Sequence, residues 1–179
     1  INAEILFSTF DEPAARHVQV TDMAIERAKR IAEQGEDVVL FVDSLSRLAR
    51  ASHASTPAGG KLMNASVDIS ALQCVRKVFG AARTLEEGGS LTIFATFLTG
   101  STFDDVVAED VIGAANGVLR LESDLALRGL HPALNLWESS TAARENFLST
   151  DELAAVKTLR SGLKGDPQED LEQAMQATD

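Results

Sequence analysis

The segment Val38-Val39-Leu40-Phe41-Val42-Asp43-Ser44 decides the fold, because five apolar residues are followed at once by polar ones. An apolar run this short predicts a strand that is buried on both faces of a parallel sheet. Asp43 would then lie at the carboxyl end of that strand, the edge at which open α/β sheets bind their ligands. Two interpretations of the carboxylate stay open, a ligand-binding group or a cap for the next helix beside Ser44.

Strand and helix patterns alternate on both sides of this segment. Further strands are predicted at residues 4–10, 90–98, 118–121 and 133–136. Helices are predicted at 13–34, 44–54, 69–85, from Phe103 onward, at 150–163 and at 167–177. This alternation predicts an α/β fold, in which right-handed crossovers place the strand ends Phe10, Asp43 and Leu98 at one edge of the sheet.

The composition limits the classes of function. The net charge of −11 argues against general nucleic-acid binding, so any contact with a polyanion must be made by a few cations in one place. A single cysteine fits a reducing cytoplasm and, with three histidines, makes a zinc site improbable. No apolar run approaches the roughly 18 residues of a membrane span. We therefore expect a cytoplasmic protein with no membrane partner.

Five segments occur along the chain in the order in which a known family carries them. They are residues 8–14, 16–20, 42–50, 79–83 and 86–93. Together they resemble the ATPase domain of the Rho family of bacterial transcription termination factors, strongly over residues 8–98 and in patches beyond. Family members are homohexameric, RNA-dependent ATPases and helicases that thread RNA through a central hole.

The resemblance implies a fold and a division of the chain. The fold is an α/β, RecA-like fold of the P-loop NTPase type, a mainly parallel sheet flanked by helices and incomplete at its N-terminal side. Residues 1–149 would form a partial RecA-like core and 150–179 a helical extension of the same domain. We expect the chain to be part of a larger RNA-dependent ATPase and helicase that acts in transcription termination.

The resemblance also assigns nucleotide-binding residues. Asp43 resembles the Walker B carboxylate that holds Mg²⁺ through water, and a hard cation of this kind needs oxygen ligands. Arg47 resembles a cation near the nucleotide, and His131 matches an aromatic that stacks on adenine. ATP and Mg²⁺ are expected in the complete protein, and neither is expected in the isolated chain.

Two loops resemble the segments that line the RNA channel. In the first loop, the Gly59-Gly60 pair would let the backbone approach a phosphate, to which Lys61 would add a positive charge. The alternative interpretation is that Lys61 is an ordinary surface lysine. The candidate residues of the first loop are Lys61, Leu62, Met63, Asn64, Ala65 and Ser66. Those of the second loop are Thr99, Gly100 and Thr102.

Several positions depart from the family pattern. The chain contains no Gly-x-x-x-x-Gly-Lys-Ser/Thr motif, the phosphate cradle of P-loop enzymes. Thr102 occupies the position of an RNA-contacting lysine, and Ala142 that of the arginine finger. Arg144 and Arg128, the latter beside Gly129, are the candidate replacements for the missing arginines. These departures leave a second function open, a degenerate RecA-like pseudo-ATPase that serves assembly or regulation.

The expected partners follow from the same resemblance. They are single-stranded RNA in a central channel, further copies of the chain in a ring, and RNA polymerase as a candidate. A partial RecA sheet would expose an unpaired strand edge, so the fragment alone is expected to dimerise or to swap segments.

Overall fold

The computed structural model describes residues 3–55, 62–63 and 67–178. The chain divides into two compact units, Ile1–Gly113 and Ala114–Asp179. The boundary predicted between residues 149 and 150 lies inside the second unit, so the helical extension stays a prediction.

The first unit is built on a three-stranded sheet. Its strands are β1 (Val38–Val42), β4 (Arg83–Thr84) and β5 (Ser90–Ala95), in the order β1-β5-β4. β1 pairs with β5 in parallel, with Val42 opposite Ala95, and β4 pairs with β5 in antiparallel. A separate antiparallel pair is formed by β2 (Leu62–Met63) and β3 (Val67–Asp68). The predicted parallel pairing of the two apolar strands is therefore present.

Four helices complete the first unit. They are α1 (Ala14–Glu33), α2 (Leu45–Ser55), α3 (Ile69–Phe79) and α4 (Thr102–Ile112). α1 packs against β1, β5 and α2, while α3 packs against α2 and α4. The helices meet in one core, whose fully buried members include Ile25, Leu45, Leu72, Val75, Val78 and Val107. α3 is shorter than the predicted helix at 69–85, because it ends at Gly80 and the chain then turns into β4.

Strand β1 is covered on one face only, which corrects the prediction that both faces are buried. Val38, Leu40 and Val42 lie half-buried against the helical core. Val39 and Phe41 point to the other face and are 54% and 75% exposed. All five residues of the strand are apolar, so the sequence could not show which face lacks a covering layer.

The predicted strand at residues 4–10 is wrong. Residues 3–9 have no regular secondary structure, and Ile5, Phe7 and Phe10 are 79%, 74% and 96% exposed. A strand needs a hydrogen-bonded neighbour, and this segment pairs with no strand among the described residues. Phe10 therefore does not share a sheet edge with Asp43.

Gly89 lies just before β5, where the backbone passes very close to Glu36. Its N–H donates to the carbonyl oxygen of Ala32 at 2.9 Å, and its own carbonyl accepts from the N–H of Leu85 at 3.0 Å. A Cβ atom at this position would lie 1.9 Å from the carbonyl oxygen of Glu36. Only glycine fits here without a shift of the backbone.

Replacement of Gly89 by alanine is expected to lower the free energy of unfolding by about 1–3 kcal/mol, the usual cost of overpacking. The measurement is urea denaturation followed by circular dichroism. Gly113→Ala is the matched control, because a Cβ there would meet no atom within 4 Å and the residue has φ −62°. Equal stability of the two variants would contradict the close approach.

The second unit contains an antiparallel pair of strands with helices around it. The strands are β6 (Gly117–Leu121) and β7 (Leu134–Thr141), and their register shifts between Val118 and Arg120. The helices are α5 (Ser123–Leu127), a 3₁₀ turn (Arg144–Asn146), α6 (Thr150–Ser161) and α7 (Pro167–Thr178). β7 is longer than the strand predicted at 133–136.

Local hydrogen bonds fix the helices of the second unit. Ser149 and Glu152 form a capping box at the start of α6. The fully buried carboxylate of Asp170 accepts hydrogen bonds from the backbone N–H groups of Lys164 at 2.7 Å and Gly165 at 3.0 Å, which ties α7 to the preceding loop. Among the described helices, none has both the length and the apolar composition that a bilayer span requires.

Candidate functional site at the carboxyl edge of the sheet

Asp43 follows β1 directly and is exposed at the carboxyl edge of the parallel pair. Its Oδ1 accepts a hydrogen bond from the hydroxyl of Thr96 at 2.9 Å. Thr96 follows the neighbouring strand β5, and its backbone N–H donates to the carbonyl oxygen of Val42 at 3.1 Å. The ends of the two parallel strands therefore hold the carboxylate in place while it faces solvent.

The cap of helix α2 is Ser44. The Ser44 hydroxyl accepts from the backbone N–H of Arg47 at 3.3 Å, whereas Asp43 makes no such bond among the described residues. The start of α2 is also tied to the other strand end, because the N–H of Leu45 donates to the carbonyl oxygen of Thr96 at 3.0 Å. Of the two interpretations left open by the sequence, the structure does not support the cap.

The oxygen groups at this edge fit Mg²⁺ bound through water. Asp43 and Thr96 offer a carboxylate and a hydroxyl, both hard donors. The described part of the chain contains no group of three His, Cys, Asp or Glu side chains that could enclose an ion. Mg²⁺ typically keeps several waters and takes one or two carboxylates together with substrate phosphates. Arg47 is exposed in the first turn of α2, next in the chain to this edge.

The loop at residues 99–102 is anchored to α2 by Arg50. The guanidinium Nε donates to Oδ1 of Asp104 at 3.1 Å, and its Nη2 donates to Oδ2 of the same carboxylate at 2.6 Å. Nη2 also lies 3.2 Å from the hydroxyl oxygen of Ser101, the N-cap of α4. The guanidinium carbon lies 5.3 Å from the ring centroid of Phe103, a cation–π contact.

Arg50 also controls the charge of Asp104. This carboxylate is only 3% exposed, and the hydrogen bonds from Arg50 hold its pKa below the ordinary value. Asp104 therefore remains ionised inside the unit. Thr99, Gly100 and Thr102 remain exposed beside this anchor, and Gly100 has φ +92°. The loop presents backbone and hydroxyl groups to solvent from a fixed base.

The other candidate RNA-binding residues are described only in part. Lys61, Asn64, Ala65 and Ser66 lie outside the described residues. Leu62 and Met63 form β2, paired with β3. Their assignment to RNA binding stays a prediction.

The candidate residues of the second unit differ in their partners. His131 is exposed, and Arg128 donates to the side-chain oxygen of Gln168. Arg144 forms no ion pair among the residues that the structure describes and lines a cavity of about 550 Å³ with Lys157 and Arg160. Arg144, one of the two candidate replacements for an arginine finger, therefore faces a cavity.

Sequence reasoning missed three residues of the site. Thr96 orients Asp43, and the pair Arg50 and Asp104 positions the second loop. Thr96 carried a signal, since it is a hydroxyl residue at the end of the parallel strand. Partners such as Arg50 and Asp104, 54 residues apart, become visible only in the folded chain.

Comparison with known proteins places the chain in a family. The model of the ATP synthase alpha/beta family, nucleotide-binding domain, matches residues 2–141. The chain therefore belongs to the ATP synthase alpha/beta nucleotide-binding family.

Within that class, the resemblance to transcription termination factor Rho is confirmed. The chain is 47% identical to Rho of Chromobacterium violaceum over 174 residues, which is 96% of this chain and 41% of that protein. It is 45% identical to Rho of Neisseria gonorrhoeae over the same number of residues and the same shares. The chain thus spans about two-fifths of the length of these relatives.

Solved structures support the fold class. An ATPase from the type III secretion system of pathogenic bacteria has a TM-score of 0.76 at 24% identity, over 86% of this chain and 44% of that one. The assembled ATPase EscN from enteropathogenic E. coli has a TM-score of 0.76 at 22% identity, over 86% of this chain and 38% of that one. The predicted α/β, RecA-like fold of the P-loop NTPase type is confirmed.

Proposed function

We propose that the chain is the part of a Rho-type, RNA-dependent ATPase and helicase that supplies the Walker B carboxylate and the second RNA loop. The observation that carries the proposal is the position of Asp43. Its carboxylate is exposed at the carboxyl edge, oriented by the Thr96 hydroxyl and not used as a helix cap. The 47% identity to a Rho protein over 96% of the chain supports the same assignment.

In this function Asp43 and Thr96 would hold the water shell of Mg²⁺ beside the phosphates of ATP. The ion would supply charge stabilisation for phosphoryl transfer. Arg47 would add a positive charge near the phosphates, and His131 would stack on the base. The phosphate cradle would come from a P-loop, which this chain does not carry.

The RNA-binding part of the proposal rests on the loops. Residues 99–102 would contact single-stranded RNA with Thr99, Gly100 and Thr102, and Lys61 would add a cation from the other loop. Copies of the protein in a ring would line a channel with these loops. The same proposal includes RNA polymerase as a partner and a location in the cytoplasm. Because β1 is an edge strand among the described residues, self-association of the isolated chain also stays part of it.

A chimera tests the function. This chain would replace the matching 174-residue segment of Rho from Chromobacterium violaceum, so that the relative supplies the upstream half. ATP hydrolysis is then measured with and without a single-stranded RNA homopolymer. RNA-stimulated turnover is the expected result, and the unmodified relative is the control.

The alternative is a pseudo-ATPase, favoured by Ala142 and Thr102 at positions where the family carries a cation. A chimera that assembles, as shown by analytical ultracentrifugation, but hydrolyses no ATP with or without RNA would support this alternative and reject the enzyme.

A further inference from the structure

A basic cavity that is wide open to solvent lies within the second unit, between the 3₁₀ turn and α6. Its volume is about 550 Å³. Its charged lining residues are Arg144, Glu145, Lys157 and Arg160, and its apolar lining residues include Leu153 and Val156. Three cations and one carboxylate give this surface a positive charge within a chain whose net charge is −11.

The three cations of the cavity outnumber Glu145, the carboxylate in its lining. Arg144, Lys157 and Arg160 form no ion pair among the residues that the structure describes. Within the described chain, Arg160 donates a hydrogen bond to the carbonyl oxygen of Ser139 at 2.7 Å. Burial lowers the pKa of Arg160, and the nearby positive charge of Arg144 lowers it further. Like charges that repel each other in this way are stabilised when an anion binds between them.

Several other cations of the described chain do form ion pairs, although Arg47, Arg83, Arg120 and Arg128 do not. Arg27 pairs with Glu4 at 2.8 Å, Lys77 with Asp22 at 2.8 Å, and Lys164 with Glu169 at 3.2 Å. What distinguishes Arg144, Lys157 and Arg160 is that these three cations without an ion pair line the same cavity.

We propose that the cavity formed by Arg144, Lys157 and Arg160 binds a small oligophosphate anion, either free or as the terminal group of a nucleoside polyphosphate. A phosphate group matches guanidinium and ammonium donors, the former as a planar fork and the latter as a point charge. The apolar side chains of Leu153 and Val156 form the wall from which α6 presents Lys157 and Arg160. The site is contained in one unit of one chain, so it needs neither Asp43 nor a ring of copies.

The test is isothermal titration calorimetry of the full chain with inorganic pyrophosphate. Lys157→Gln is expected to weaken binding about five-fold, and Glu145→Gln to strengthen it about three-fold, because the first removes an attractive charge and the second a repulsive one. Both side chains are exposed, so neither substitution should disturb the fold. Lys164→Gln is the matched control, since it makes the same charge change outside the cavity and should leave the affinity unchanged.

The remaining arms identify the ligand. If ATP competes with pyrophosphate and adenosine does not, the cavity recognises the phosphate groups. Tighter binding of ATP than of pyrophosphate would indicate a nucleotide as the ligand, and tighter binding of pyrophosphate a free anion. Absence of pyrophosphate binding, or an equal loss in the Lys157 and Lys164 variants, would overturn the proposal. Binding of an RNA oligonucleotide at these residues without binding of pyrophosphate would also overturn it. Since these measurements need no hydrolysis, their failure is distinct from failure of the proposed ATPase.

Discussion

Replacement of Asp43 by asparagine in the chimera is expected to reduce RNA-stimulated ATP hydrolysis at least about 100-fold. Metal-ion stabilisation of transition-state charge is worth several kcal/mol, and each 1.36 kcal/mol corresponds to about a factor of ten in rate. Asparagine preserves the acceptor for the Thr96 hydroxyl but removes the negative charge that would attract Mg²⁺. The measurements are steady-state turnover and its dependence on Mg²⁺ concentration.

Asp37→Asn is the matched control for this variant. Asp37 is also an exposed carboxylate beside β1, but it lies before the strand, at the opposite edge of the sheet, where it accepts a hydrogen bond from Ser90 at 2.7 Å. Its loss should leave hydrolysis within about two-fold of the parent, because six residues of extended chain span roughly 20 Å. A charge at that distance, about two Debye lengths at 0.1 M salt, is largely screened. Wild-type turnover in the Asp43 variant would show that this carboxylate does not serve Mg²⁺.

The second large effect is expected at the anchor between α2 and α4. Replacement of Arg50 by methionine should lower the free energy of unfolding of the chain by about 2–3 kcal/mol, because it leaves the charge of Asp104 buried with only part of its hydrogen bonds. Arg50 is half exposed, so the expected loss is smaller than the roughly 3–5 kcal/mol of a fully buried pair that is broken. Urea denaturation at pH 7 gives the measurement.

Arg27→Met is the control, since Arg27 and Glu4 form an ion pair whose side chains are 59% and 51% exposed. Exposed pairs contribute about 0–1 kcal/mol, so this variant should change stability little. The same loss in both variants would show that burial of Asp104 does not decide the energy.

The anchor also gives a pH dependence with a definite sign. Arg50 lowers the pKa of Asp104 in the folded chain, so the folded state favours the ionised carboxylate. The stabilisation is complete above the ordinary aspartate pKa of about 3.9 and is lost as the pH falls through the lower pKa of the folded state. The stability difference between the parent and Asp104→Asn should therefore shrink below about pH 4.

The sequence predicted the elements that are defined by local pattern. β1, α1 and α2 appear close to their expected bounds, because each has an apolar run or periodicity and a clear stop signal. β5 begins at Ser90 as expected but ends at Ala95, three residues before the predicted end at residue 98. The segment at residues 4–10 has the pattern of a strand but finds no partner to pair with, and strand formation depends on a partner far along the chain.

The site shows the same division between local and distant information. The position of Asp43 at the carboxyl edge followed from one apolar run and one carboxylate. The contacts that hold it and the loop nearby join residues more than fifty positions apart, as in the hydrogen bonds of Asp43 with Thr96 and of Arg50 with Asp104. Phe41 and Phe94, whose ring centroids lie 5.3 Å apart, are on the exposed face of the sheet. The sequence could not predict this exposure, because it depends on which elements pack against that face.

The anchor described above has a mechanical consequence. Arg50 grips the first turn of α4 with two hydrogen bonds, and the first turn of α2 is bonded to the ends of both parallel strands. A force applied to residues 99–102 would thus be transmitted through α2, a helix of about three turns, to the backbone that carries Asp43. A displacement of that loop would therefore either move α2 or break the hydrogen bonds between Arg50 and Asp104.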